Sequence, residues 1–355
     1  MSSNLTHQYI KALVDFRQTD LNSFVEIHFK LYSDAKQNDD YGECIAHYYS
    51  IMSKFIGKYF CQSFHFVPPL LPTNNKQQQS NFNFYKRIKN NKTKYNLNNS
   101  LKQLHILISE WCLQLNKDIK CLDIGCGIGN VIKDLALTGA QLTGLTVSLD
   151  EVNIGNSIFQ KLGINTNCRL LHADCSKILP FDNNSQDAAY AIYSLKYLPK
   201  LGKIFSEINR ILKLEGLLLI YDLIKTDKYN EDNNEHRKLL SELEMYCGMP
   251  PLHSRNEIIK EANLANFVLI KYINLEEIIG KPFYYCFSNS KIFMWMMDSL
   301  LIKHLINIAQ FLHILPPGFN RFNKIFLFGT VNKIVKAGKL GILSGSEILL
   351  FKKIR

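Results

Sequence analysis

The chain has 355 residues, 46% apolar and 21% charged, enough for one large domain or two modest ones around a sizeable core. Its 42 Lys and Arg against 31 Asp and Glu leave a net charge of +11. That balance suits acidic surfaces such as phospholipid headgroups or nucleic acid, without choosing between them.

The 9 cysteines are dispersed and form no CxxC pair, which argues against a zinc site and for reduced thiols in a cytoplasmic setting. Residues 1–10 lack the apolar stretch of a secretory signal. The apolar run at 216–224 is too short to span a bilayer. The greasier stretch 292–315 is interrupted by Asp298, Lys303 and His304. A soluble or peripherally bound protein is expected.

Residues 1–72 read as a mostly helical N-terminal segment. Residues 73–100 are rich in Asn, Gln and Lys without an apolar period; they read as a flexible loop, with a basic membrane-facing role as the alternative. From 101 to 274 the pattern tightens. Leu101, Leu104, Ile108, Trp111 and Leu115 recur at helical spacing, and strands are expected at 119–124, 140–146, 168–172, 187–192 and 216–222. Helices at 129–138, 150–162 and 202–213 alternate with them, the rhythm of a parallel sheet covered on both faces. Further strands fit 267–273 and 346–352, with a mostly helical insertion over 275–342 inside a C-terminal region, 275–355. The expected fold is an α/β, Rossmann-like sheet of seven strands, the last antiparallel, with helical segments at both ends shaping a substrate pocket over the strand ends.

The most informative run is Cys121-Leu122-Asp123-Ile124-Gly125-Cys126-Gly127-Ile128-Gly129. A strand enters a glycine turn and a helix follows, which places a ligand at the carboxyl end of the sheet. Dinucleotide sites favour GxGxxG, whereas an acid beside DxGxGxG suits the cationic amine of S-adenosylmethionine and would repel a pyrophosphate. Asp123, Gly125, Cys126, Gly127 and Gly129 are therefore cofactor candidates. Asp174, with Cys175 beside it, follows the third strand and can accept from an adenine amino group or cap the next turn. The second strand ends at Thr146 without the carboxylate that usually grips the ribose; Thr146 or Ser148 can substitute through a hydroxyl.

At this point the chain resembles the sterol methyltransferase family, from about residue 40 to the end. The likeness is carried by Ser63-Phe64-His65-Phe66, which matches its SFHF signature, and by the DxGCGxG turn at Asp123–Gly129. It continues in Thr226-Asp227-Lys228-Tyr229 with Glu235-His236-Arg237-Lys238, in Leu315-Pro316-Pro317-Gly318 and in Ala337-Gly338-Lys339. The resemblance implies transfer of a methyl from S-adenosylmethionine to a sterol carbon, commonly C-24 of the side chain. Two departures stand out. The acidic aromatic run YEYGWG before SFHF reads Ile56-Gly57-Lys58-Tyr59-Phe60-Cys61, and IEATxHAP reads Ile192-Tyr193-Ser194-Leu195-Lys196-Tyr197-Leu198-Pro199.

Side-chain methylation at C-24 passes through a carbocation, which aromatic faces and carboxylates stabilise. Methylation at ring carbon C-4 beside a C-3 ketone would pass through an enolate and would need a base and oxyanion donors. The lost Glu and His fit the second path, and the chain looks most like the nematode C-4 branch of the family, tied to steroid-hormone precursors. His65 is the leading base or sterol contact, against a packed structural histidine. Tyr193 and Tyr197 are candidate donors, against ordinary core tyrosines. Asp222 is a second possible base, against a loop brace; Lys196 reads as solvated and His236 as loop-bracing. Methionines and aromatics of 292–315 suit a flat apolar ligand or a bilayer, against plain core, their default. The partner expected is a sterol, with peripheral contact with a membrane such as the endoplasmic reticulum as an open alternative, and not nucleic acid; the oligomeric state is open. Rival readings are a C-24 enzyme, another small-molecule methyltransferase, and an inactive lipid-binding or cofactor-binding protein.

Overall fold

A computed structural model describes residues 5–16, 20–60, 63, 65–70 and 95–355. The chain forms two compact units, each assembled from three segments. One comprises Met1–Phe64, Lys225–Leu252 and Tyr284–Leu343; the other comprises His65–Ile224, His253–Phe283 and Ser344–Arg355.

The second unit is built on a seven-stranded sheet: β1 (Lys120–Ile124), β2 (Gln141–Thr146), β3 (Cys168–His172), β4 (Gln186–Ile192), β5 (Leu212–Lys225), β6 (Phe267–Asn274) and β7 (Leu343–Lys353), in the order β3-β2-β1-β4-β5-β7-β6. Pairs β1–β2, β2–β3, β1–β4 and β4–β5 are parallel, and β6–β7 is antiparallel. The strands read as nearly continuous apolar runs because both faces are covered. On one face the helix Leu201–Ile211 turns Leu201, Ile204, Phe205, Ile208 and Ile211 inward, the spacing of a single helical stripe, to join Leu122, Ile124, Ala189, Leu218 and Ile220 in the core.

Strand order reverses at β1. The chain winds outward through β2 and β3, then returns to place β4 on the other side of β1, which opens a crevice at the carboxyl ends of β1 and β4.

The strands lie close to their expected positions, with one exception. β5 begins at Leu212 rather than 216, because Leu212 pairs with Gln186 before the register jumps to Ala188–Leu217. The extra residues bulge through Glu215 at φ +66, and a Cβ on Gly216 would meet Lys213 O at 2.7 Å. The end of the expected 73–100 loop also differs. The helix Leu97–Leu107 begins inside it, because Asn96 accepts from Asn99 N–H as an N-cap and buried Ser100 donates to Leu70 O at 3.0 Å. Residues 73–94 of that loop lie outside the described residues, as does Phe64 of the SFHF run.

The first unit is helical. Leu5–Asp15, Leu21–Asn38, Gly42–Tyr59, Asn234–Cys247 and Phe328–Leu340 close on an aromatic core: Tyr9 stacks on Phe328 at 4.6 Å, and Phe24 meets Phe326 edge-on at 5.2 Å. Lys225–Leu252 belongs here rather than with the sheet, a discontinuity that a reading in chain order leaves inside 101–274. Helices Lys291–Asp298 and Leu300–Phe311 meet at a 70° bend. The core reading of 292–315 needs correction. Phe293, Met296, Met297 and Ile306 are buried, but Ile292, Trp295, Leu300, Leu301, Leu305, Ile308, Phe311 and Leu312 face solvent.

Candidate active site

The glycine turn sits in the β1–β4 crevice. Gly125 and Cys126 donate their amides to Leu145 O at 3.0 and 2.9 Å, which ties the turn to β2. Gly125 has φ +78, and a Cβ there would fall 2.5 Å from Ser194 Cβ in the turn after β4. Only glycine lets the two strand-end turns approach so closely. Gly127, at φ +53, faces open space; a Cβ on it would reach only Glu151 Oε1, at 3.9 Å. Gly129 lies beneath Phe159 and opens the helix Asn130–Leu135. The Cys126 side chain packs on Gly144, and burial holds its thiol protonated.

Asp123, next to last in β1, is 2% exposed, and its Oδ2 has no hydrogen-bond partner. Burial pushes its pKa up to about 7, against the pull of the nearby Tyr190 hydroxyl. A buried carboxylate left unmatched at the head of a glycine cradle fits a cationic ligand group, and the ammonium of S-adenosylmethionine is one.

The carboxylate expected at the end of β2 is present, but it comes from the following helix. Ser148 N-caps Leu149–Lys161 by accepting from Glu151 N–H at 3.3 Å, and Thr146 Oγ1 donates to Glu151 Oε2 at 2.5 Å. Thr146 thus positions Glu151, whose Oε1 remains over the Gly127 opening as the group suited to ribose hydroxyls. The Ser148-to-Glu151 spacing, a capping pattern, was the sequence signal for it. Asp174 caps the next turn: its Oδ1 accepts from Ser176 N–H at 2.9 Å, and its Oδ2 lies 3.3 Å from Lys177 Nζ. Cys175 is buried in the hydrophobic core, with its thiol pushed up to about 12 by burial.

Beyond β4, Tyr193 adopts φ +55, unusual for a residue with a Cβ. Its hydroxyl donates to Gly345 O at 2.7 Å, so its one proton braces β7 rather than a ligand oxygen. Lys196 is buried, not solvated: its ammonium bonds Tyr193 O, lies 3.5 Å from Asp222 Oδ1, and sits over the rings of Tyr193 and Tyr197 at 4.5 and 4.7 Å. Asp222 also accepts from Lys196 N–H at 3.1 Å and Leu223 N–H at 2.7 Å, which makes it a structural brace. His236 accepts from Asn230 N–H at 3.2 Å and braces its loop.

His65 lies against these strand ends, its ring 5.9 Å from that of Tyr193 and 6.4 Å from that of Tyr221. The Tyr221 hydroxyl donates to Phe66 O at 2.9 Å and anchors the segment. Burial, then His105 and Lys196, keep His65 neutral. Its Nε2 is 2.9 Å from Nε2 of His105, whose Nδ1 is 2.7 Å from Asp134 Oδ2. Neither His105 nor Asp134 was expected from the sequence.

A family model described as "Methyltransferase domain" matches residues 122–220, the span from β1 into β5. Sterol 4-C-methyltransferase strm-1 of Caenorhabditis elegans is 46% identical over 354 residues, covering 99% of each chain. The 24-methylenesterol C-methyltransferase 3 of Arabidopsis thaliana is 29% identical over 66% of this chain and 64% of its own. Among solved structures, geranyl diphosphate C-methyltransferase from Streptomyces coelicolor shares the fold with a TM-score of 0.61 at 16% identity, over 88% of this chain and 98% of that one. The chain belongs to the sterol methyltransferase family of S-adenosylmethionine-dependent enzymes.

Proposed function

We propose that the protein methylates C-4 of a 3-keto sterol through an enolate. The carrying observation is the charge at the end of β4. The Lys196 ammonium sits over the rings of Tyr193 and Tyr197, surfaces that would otherwise suit a carbocation. A cation forming there would be repelled, whereas an enolate oxygen would be attracted. The similarity to the C. elegans 4-C enzyme supports the same carbon.

The bound cofactor would supply an electrophilic methyl on a sulfonium. Asp123 would hold its ammonium, and Glu151, with Thr146 behind it, its ribose. His65, kept neutral by burial, would take the C-4 proton. Lys196 would attract the enolate oxygen, a role Tyr193 fills poorly with its proton committed to Gly345. The remaining acceleration comes from orientation and exclusion of water.

We further propose peripheral contact with a bilayer, of the endoplasmic reticulum, through the bent helix pair. No single helix among the described residues is long and apolar enough to cross a membrane. The pair presents Trp295, Leu301, Leu305 and Phe311 to solvent beside exposed Lys291 and Lys303, the composition of an interfacial helix. The eight described cysteines are free, consistent with a reducing compartment.

The test is methyl-labelled S-adenosylmethionine with two sterols, one a 3-keto compound with a saturated side chain, the other a 3-hydroxy compound with a Δ24 alkene. Label on ring A of the first is expected. Label only on the side chain of the second would overturn the enolate reading and leave the family assignment intact.

A further inference from the structure

Several histidines of this chain are held by backbone carbonyls. His28, His47 and His253 each bond a backbone carbonyl, that of Met245, Phe24 and Leu198 respectively, at 2.7 to 3.1 Å, and His253 Nδ1 also lies 3.4 Å from Glu257 Oε1. One carbonyl satisfies one ring N–H, which is what a structural histidine needs. His65 and His105 depart from this pattern. Their rings bond each other, both are buried, and a carboxylate lies at the far end of the pair.

We propose that His105 and Asp134 are positioning residues for His65, fixing the ring nitrogen that takes the C-4 proton and sharing the positive charge it acquires. The proposal rests on the C-4 reading above.

The proton positions follow from the donor set. The Asp134 carboxylate can only accept, so His105 carries its proton on Nδ1. His105 Nε2 is then a lone pair and must accept from His65 Nε2–H. The His65 lone pair is thereby placed on Nδ1. When the C-4–H bond breaks, its electron pair enters the enolate and its proton adds to Nδ1. The imidazolium formed keeps its Nε2–H bond to His105, and Asp134 balances the charge through that ring, as the carboxylate of a nucleophile–histidine–acid triad does. Bound S-adenosylmethionine would supply the methyl to the enolate carbon, with the S–CH3 pair kept by sulfur as a neutral thioether. The proton departs from Nδ1 to water once product leaves, so each turnover releases one proton and both rings return to their starting tautomers. Asp134 lies at the solvent end of the relay: its side chain is 23% exposed, while that of His105 is fully buried.

Two measurements separate this arrangement from plain packing. The first is wash-in of deuterium at C-4 of a 3-keto sterol in D2O with S-adenosylhomocysteine present, which reads proton removal without methyl transfer. Asp134→Asn should slow both exchange and methylation by about tenfold or more, leave KM for the sterol within about threefold, and move the acid limb of the kcat profile to lower pH, since the base loses its anionic support. Asp134→Glu should restore most of the rate. The second is 15N NMR of histidine-labelled wild type, in which His65 should carry its proton on Nε2 and His105 on Nδ1. An Asp134→Asn enzyme with the wild-type exchange rate and pH profile, or a His65 protonated on Nδ1, would overturn the proposal. A wild-type enzyme that methylates a sterol elsewhere and never exchanges at C-4 would overturn the C-4 reading with it.

Discussion

Asp123→Asn is the substitution on which the account of the cofactor site depends most directly. The carboxyl is buried beside Tyr190, with one oxygen unpartnered and its pKa pushed up to about 7 from an ordinary 3.8. Between those values the folded protein binds more protons than the unfolded chain, so this group makes the fold progressively less stable as pH rises from 3.8 to about 7. At ~1.4 kcal/mol per tenfold, full ionisation costs the empty protein up to about 4 kcal/mol. Asparagine has nearly the same shape and no charge, though its amide needs partners too, which leaves a net gain of about 1–3 kcal/mol. The variant should therefore unfold at higher urea than wild type at pH 8, with a much smaller difference at pH 5. It should also bind S-adenosylmethionine at least about tenfold more weakly, the worth of a hydrogen bond to a charged group. Urea titrations at the two pH values and calorimetric titration of the cofactor give all the numbers needed. Equal stability gains at pH 5 and pH 8, or unchanged cofactor affinity, would refute the picture of a strained carboxylate held ready for a cation.

The glycines, a buried ion pair and a buried histidine carry three other expectations. Gly163 has φ +69 with open space around its Cβ position, whereas Gly125 at φ +78 faces Ser194; Gly163→Ala should cost about 1–2 kcal/mol in chemical denaturation and Gly125→Ala about 1–3 kcal/mol more, with cofactor binding impaired only in the second. Lys196→Met should destabilise by about 3–5 kcal/mol because Asp222 is left buried without its cation; adding Asp222→Asn should recover stability but not methyl transfer, and recovery of both would remove Lys196 from the chemistry. His28, pushed down to about 4, and His65 are both held neutral mainly by burial, so the unfolded chain binds more protons than the folded one below pH 6.5. The stability they contribute is complete above that pH and lost as pH falls, and His28→Phe should flatten part of the slope between pH 6.5 and 4 in denaturation midpoints.

The sheet was legible because its signals are local: five apolar runs, a glycine turn with an acid, and helices with one apolar stripe each. The site was legible where it lies on that turn. Glu151 is not legible at the end of β2, because the carboxylate reaches that place from the first turn of the next helix. His105 was hidden more deeply. It occupies a helix whose apolar residues set the pattern, and its meeting with His65, 40 positions earlier, leaves no mark in either neighbourhood. Lys196 was misjudged because lysine is seldom buried, and only the turn that brings Asp222 and two tyrosine rings around its ammonium makes burial tolerable. The exposed faces of 292–315 reversed the usual expectation for such residues.

The way each compact unit is threaded from three segments has a practical corollary. The backbone passes from one unit to the other five times, so no contiguous piece of the gene encodes either of them by itself. A break in the polar turn between Asn230 and Asn233 would leave β1 to β5 on one polypeptide and β6 with β7 on another, each also carrying helices of the other unit. Neither polypeptide would own a finished sheet. Co-expressed, the two would regain methyl transfer only by finding each other, so the enzyme offers a natural place to build a split reporter whose signal is sterol methylation itself.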